Sequence, residues 1–244
     1  MRSATVTALA FAGVLSIALS AQQPPAPPPA GGGGGGMRMG QDVAHKVSNG
    51  GIRGAGWQGR PDPGTGAVND SSLDVKGSNI EVHTGPAMLY WNPANKRTGD
   101  YTVSATFTEP KYMSSNDHPH PYGVFLAGND LDTENASALY CAAYGRGTYI
   151  VRGFGPAPFA VNGRGGSPND AVHKAAGKGE SVEQTIAMSV KGDKVECSIN
   201  GTVVGSYPKS DLVAAGKLKS TDGIAGIRVA HNVDVDVKDF KVSK

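Results

Sequence analysis

The 244 residues contain no Gly-x-Ser-x-Gly elbow, no Ser/His/Asp order, no phosphate loop and no Cys-x-x-Cys. These absences argue against a serine hydrolase, a nucleotide-binding enzyme and a dithiol redox protein. No stretch carries the apolar spacing of a long helix. Charge of one sign is also missing: 23 basic and 21 acidic residues leave a formal charge of +2. Without a basic stripe, nucleic acid is not an expected partner. Long apolar runs are scarce. Residues 5–19 form one, shorter than the ~20 residues a membrane span needs, and nothing after it would cross a bilayer.

That run follows Met1 and Arg2 and ends in Ala18, Leu19 and Ser20 before Ala21. A positive start, an apolar centre and small residues before a cut are the pattern of a secretory leader. Residues 1–20 are therefore expected to be a signal peptide, and the protein to be secreted or periplasmic. No Cys stands at the cut, so a bacterial-type lipid anchor is not expected. Residues 21–43 are rich in proline and then in glycine, with six consecutive glycines at 31–36. Proline stiffens such a chain and glycine loosens it; neither buries a core. The segment reads as a linker, and residues 44–244 as the folded domain. Glycine is abundant, 35 of 244, without the triplet period of collagen.

Strand patterns fill the domain. Tyr101, Val103, Ala105 and Phe107 alternate with Thr102, Ser104, Thr106 and Thr108, the period of a half-buried strand. Residues 122–127 are apolar on both faces, as in a central strand. Residues 72–75, 79–83, 87–91, 138–144, 148–154, 183–190, 194–199, 202–207, 223–230 and 233–242 read as further strands. Asn92-Pro93 is expected to end the strand at 87–91. Asn200-Gly201 is the signal of a type I′ hairpin turn. Residues 155–179 read as a long unstructured loop, a length that is often functional. Strands at this spacing predict an all-β fold, a two-sheet antiparallel β-sandwich of the jelly-roll type. Cys141 and Cys197 each sit on an apolar face; both a disulfide and two separate buried thiols remain open.

The order of these elements resembles that of concanavalin A-like lectin/glucanase jelly rolls, including laminin-G-like domains. The likeness rests on residues 99–107, on the meander at 185–204 and on the closing pair at 223–230 and 235–242. Domains called 3-keto-disaccharide hydrolases are similar, as are many exported bacterial proteins. The resemblance implies the fold. It does not choose among lectin, glycan-cleaving enzyme and adhesion module.

Three residue sets bear on that choice. Asp130, Asp132 and Glu134 would project to one side of an extended chain. The run resembles the acidic strand of laminarinase-type enzymes, which would make Asp130 the nucleophile and Glu134 the acid, with Asp132 between. Retaining hydrolysis needs such carboxylates ~5–5.5 Å apart. Asp130 is shorter than the Glu of that pattern, and Thr133 stands where an apolar residue is expected. The same oxygens suit Ca²⁺, although the EF-hand glycine is absent; no other cofactor is expected. His118 and His120 share a face of an extended, proline-flanked segment and suit Zn²⁺ if Asp117, His173 or His231 converges on them. Tyr140, Tyr144 and Tyr149, with Arg146, Arg152, His120 and Trp91, form an aromatic and basic set suited to sugar rings and hydroxyls. The expectation is a secreted carbohydrate-binding module without catalysis, its partner an extracellular or periplasmic glycan. The alternatives are a glycoside-processing hydrolase of the same fold, and a structural or adhesion module with no small-molecule site.

Overall fold

The computed structural model describes residues 1, 43–163 and 165–244. The expected leader and linker, apart from Met1 and Val43, lie outside the described residues. The domain is a sandwich of two sheets. Along the first lie β1 (Gly51–Arg53), β3 (Ser72–Lys76), β4 (Asn79–His83), β16 (Asp234–Ser243), β6 (Tyr101–Glu109), β12 (Val182–Lys191), β13 (Lys194–Ile199) and β14 (Thr202–Pro208). Along the second lie β10 (Phe159–Ala160), β9 (Thr148–Phe154), β8 (Ser137–Tyr144), β7 (Tyr122–Asn129), β15 (Gly223–Val229), β5 (Met88–Arg97) and β2 (Gln58–Pro61); β11 (Ser167–Pro168) also pairs with β9. Among the described residues only β1 and β3 pair in parallel. No helix among them is long and apolar enough to cross a membrane.

The period-2 pattern explains the layering. Tyr101, Val103, Ala105 and Phe107 of β6 are buried, and the threonines and serine between them are half-exposed. The buried set meets Tyr122, Val124, Leu126, Leu139, Val151 and Ile227 of the second sheet in one core. β7 is buried on both faces, as its composition predicts: Phe125 belongs to a second apolar cluster, on the outer side, with Leu89, Trp91, Leu131, Tyr140 and Ile150. Asn200 and Gly201 have φ of +49° and +82°, the left-handed pair a type I′ turn requires.

Two segments depart from expectation. β5 does not stop at Asn92-Pro93 but runs on to Arg97. Its register with β15 jumps from Trp91↔Gly226 to Lys96↔Ile224, so residues 92–95 bulge out of the ladder. A proline there forfeits no ladder hydrogen bond, and the Asn92 side chain turns the bulge by accepting from the Ala94 N–H (3.0 Å). The stretch at 155–179 is not free of structure. It returns along β9 as β10 and β11. Asn162 stands in for a strand backbone there: its Oδ1 accepts from the Val151 N–H (2.8 Å) and its Nδ2 donates to the Tyr149 carbonyl (3.2 Å).

Cys141 of β8 and Cys197 of β13 form a disulfide between the two sheets, with Cα atoms 6.1 Å apart. The bond closes a loop across a sequence separation of 56, which in the chain-entropy account stabilises the fold by about 4 kcal/mol. The double substitution Cys141→Ala/Cys197→Ala is expected to lower unfolding free energy by roughly that amount, and reductant to do the same to the parent in urea titrations.

Glu109 continues the inward row of β6 at its end and is 6% exposed. Burial pushes its carboxyl from 4.5 up to about 7; the Met113 N–H bonded to it opposes the shift and the Asp234 charge adds to it. An acid whose folded pKa is raised holds its proton longer when folded, so stability falls as pH rises from 4.5 towards 7 and then levels off. The loss is on the order of 3 kcal/mol. Glu109→Gln should therefore raise unfolding free energy at pH 8, leave it little changed at pH 4, and flatten the slope between. A parent profile flat over that range would contradict the assignment.

Candidate functional site

β15 reads Gly-Ile-Ala-Gly-Ile-Arg-Val, so Arg228 points outward from the second sheet between two inward residues, Ile227 and Val229. Its side chain is only 8% exposed. A guanidinium does not stay charged in such a place without a partner. The partner is Asp62, in the turn after β2. Nη1 and Nη2 donate to Oδ1 and Oδ2, each at 2.6 Å, the two-pronged geometry that suits arginine. Burial by itself would lower the Arg228 pKa; the Asp62 carboxylate overrides it and the net shift is upward.

The Asp62 backbone is held as firmly as its side chain. Its N–H donates to the Ala87 carbonyl (2.9 Å), and its carbonyl accepts from the Thr65 N–H (3.2 Å) and hydroxyl (2.7 Å). Pro61 and Pro63 fix the chain on either side. Two aromatic rings flank the ion pair. The Arg228 guanidinium lies 5.4 Å from the Tyr140 ring centre and 5.1 Å from that of Phe154. The rings themselves are 5.6 Å apart and tilted by 31°.

This group sits in a cleft of about 590 Å³ lined by Asp62, Tyr140, Arg152, Phe154, Pro158 and Arg228, among others. A second cleft of about 420 Å³ shares Asp62, Phe154 and Pro158 and adds Arg60, Leu89 and Glu134. Together they make a groove over the outer face of the second sheet. Arg60 braces one wall: its Nη1 donates to the carbonyls of Leu131 (3.0 Å) and Thr133 (2.6 Å) in the β7–β8 turn. The opposite wall is the 155–160 stretch that returns along β9. Such a groove offers ring faces for apolar C–H surfaces and a carboxylate and guanidinia for hydroxyls.

The residues expected from sequence are dispersed. Tyr140 and Arg152 are brought together in the groove, as a cross-strand pair of β8 and β9. Trp91 is buried in the outer apolar cluster with Leu131 and lines neither of these clefts. Tyr144 is half-buried, with the Arg146 guanidinium 4.8 Å from its ring. Arg146 is further occupied by Thr148 Oγ1 (3.0 Å) and the Gly165 carbonyl (3.1 Å). Tyr149 faces the interior, where its hydroxyl donates to the Val204 carbonyl. That is a correction: it follows an odd-numbered inward row with Val151, opposite to Ile150 and Arg152. His120 is buried in a histidine cluster away from the groove.

The acidic run is also corrected. Asp130, Asp132 and Glu134 lie in the turn between β7 and β8, not on an extended chain. Asp130 has φ of +51°, and its carbonyl accepts from the Thr133 N–H (2.9 Å) and hydroxyl (3.0 Å). Alternate residues of a turn do not share a side. Asp130 pairs with Lys219, while Glu134 alone of the three reaches the groove. Among the described residues no group of three or more His, Cys, Asp or Glu is arranged to hold a metal ion.

Asp62, Phe154 and Arg228 were not foreseen as site residues. The available signal was Arg228 itself, a charge set between Ile and Val in an apolar strand.

The pair can be tested through stability. Asp62→Ala strands a buried guanidinium and should cost about 3–5 kcal/mol. Asp62→Ala combined with Arg228→Met should recover much of that loss, because the lone charge is then gone. Additive losses in urea titrations of the single and double variants would refute the coupling.

No protein-family model matches the chain, and no curated protein matches it in sequence. Among solved structures it is similar to the carbohydrate-binding module CBM66 from Bacillus subtilis, with a TM-score of 0.51 and 8% identity over 80% of this chain and 99% of that one. A protein with a galectin-like fold from Bacillus subtilis scores 0.47, at 12% identity over 77% and 88%. Sheep galectin-11 scores 0.40, at 9% identity over 60% and 92%. At such identities the first of these likenesses bears on the fold alone, the two-sheet sandwich.

Proposed function

We propose that the domain is a carbohydrate-binding module that acts without catalysis, its sugar lying in the groove over the Asp62–Arg228 pair. The observation that carries this reading is the pair itself, held between the rings of Tyr140 and Phe154 at the floor of an open cleft. A sugar ring has apolar C–H faces and polar edges, so rings beside fixed charges match it on both counts. Arg152 adds a further donor from the neighbouring strand. The carbohydrate-binding function named for the Bacillus subtilis module of similar fold supports the same ligand class. Export to the periplasm or the medium, where extracellular glycans are met, belongs to the proposal and rests on residues 1–20.

The non-catalytic part is supported by how Asp62 is used. Both of its oxygens are engaged by one guanidinium, so neither is placed to attack a sugar carbon. Glu134 is the other carboxylate of the groove, and one free carboxylate does not supply the two roles of glycoside hydrolysis.

The test is calorimetric titration and pull-down against a panel of soluble and insoluble polysaccharides. Saturable binding is expected for at least one, weakened roughly tenfold, or ~1.4 kcal/mol, in Phe154→Ala and in Arg152→Ala. Tyr144→Ala should bind as the parent does. Binding unaffected by both groove variants would refute this site. Sugar released during the assay and abolished in Glu134→Gln would overturn the non-catalytic reading.

A further inference from the structure

The two clefts of the groove differ in what they offer a ligand. The first is floored by the Asp62–Arg228 pair and its two rings. The second shares Asp62, Phe154 and Pro158 with it, but adds Leu89 and Pro156, so its lining turns apolar. The charged groups it adds are Arg60 and Glu134. These two stand in one cleft without forming an ion pair. Arg60 commits Nη1 to the carbonyls of Leu131 (3.0 Å) and Thr133 (2.6 Å), and its Nε and Nη2 bond to no described residue. Glu134 is exposed and has no hydrogen bond or ion pair among the described residues. A guanidinium only donates and a carboxylate only accepts. The second cleft therefore presents unspent donors, an unspent acceptor and an apolar lining together.

We infer that the second cleft is a subsite for an acetamido group, and that the ligand is an N-acetylated sugar; this rests on the carbohydrate-binding reading above. An acetamido group carries an N–H for the Glu134 carboxylate, a carbonyl for Arg60, and a methyl for Leu89, Pro156 and Pro158. It is neutral, so the apolar lining is not asked to desolvate a charge. The competing substituents each leave something unmatched. A sugar bearing only hydroxyls has no methyl for such a pocket. The ammonium of a deacetylated sugar suits Glu134 but opposes Arg60 and the apolar lining. An O-acetyl ester has the methyl and the carbonyl but no N–H for Glu134. Because the clefts share Asp62, Phe154 and Pro158, a sugar ring over the charge pair has the second cleft beside it. The first cleft then holds the ring and the second selects its substituent.

The test is calorimetric titration of the full chain with oligomers of N-acetylglucosamine and of N-acetylgalactosamine, each against its deacetylated form and against the glucose or galactose oligomer. At least one N-acetylated sugar is expected to bind, ~10-fold or more tightly than both counterparts. Glu134→Ala removes the acceptor, and Ala136→Leu fills the cleft that Ala136 lines. Each should remove most of the preference and leave the weaker binding of the unsubstituted sugar as in the parent. Circular dichroism shows whether both variants fold. Equal binding of the three forms, or tighter binding of the amine, would overturn the acetamido subsite; if that binding still falls in Phe154→Ala, the carbohydrate-binding reading stands without it. A preference that survives both variants would also overturn the subsite. Binding of no sugar, in this series or in the wider panel, would overturn both readings together.

Discussion

A strand that is apolar on both faces must be covered twice. β7 imposes that constraint at the centre of the second sheet, with Tyr122, Val124 and Leu126 inward and Phe125 outward. The first sheet covers the inner face. Among the described residues the outer face has no third layer, and short pieces of chain cover it: Leu131 from the β7–β8 turn, the turn after β2, and the 155–160 stretch beside β9. Their arrangement leaves a gap over Arg228, and the groove is that gap. Burying an ordinary core side chain contributes ~1.5–3 kcal/mol, so the flanks of the sheet gain from being covered. The middle is floored instead by a charge pair that gains little from complete burial.

The charge pair also ties these pieces together. Arg228 belongs to β15 and Asp62 to the turn after β2, 166 residues earlier. Replacing a paired buried ion by an apolar residue is often neutral for stability, whereas breaking the pair is not. The pair is therefore weak evidence that the sequence needed stability at this point. It is better evidence that the floor of the groove is set to hold fixed donors and acceptors. The disulfide acts on the same surface from below: Cys141 is next to Tyr140 on β8, and its bond to β13 locks that strand against the first sheet. Under the proposed function, a face built on locked strands has less order to acquire when a ligand arrives.

Much of the fold was legible from residue pattern alone, because strand period and turn chemistry are local. The alternation in β6, the double-faced run of β7 and the Asn200-Gly201 turn all appear as read. Local reasoning failed where the chain's surroundings decide. Pro93 looks like a terminator until β5 is seen to bulge out of its ladder with β15 there. The 155–179 stretch looks structureless until Asn162 is seen to occupy two backbone groups of β9. The site was less legible than the fold. Tyr140 and Arg152 were identifiable as outward neighbours, yet Tyr149 was grouped with them although its position in the period places it inward. Asp62 could not be paired with Arg228 from sequence, since nothing local links a turn residue to a strand so far along the chain.

The acidic turn shows why spacing needs a backbone before it becomes chemistry. Asp130, Asp132 and Glu134 have the alternate spacing of a catalytic strand, but that spacing aligns side chains only where the chain is extended. Asp130 is left-handed, and the hydrogen bonds from Thr133 close a turn immediately after it. The segment instead carries Leu131 onto the outer cluster and offers its carbonyls to Arg60. Its part in the site is to build a wall of the groove, and its carboxylates project from that wall because charge is cheapest at the solvent edge. His118 and His120 do meet, their Nε2 atoms 2.8 Å apart, but across a bend at Asp117 and His118 and not along an extended chain.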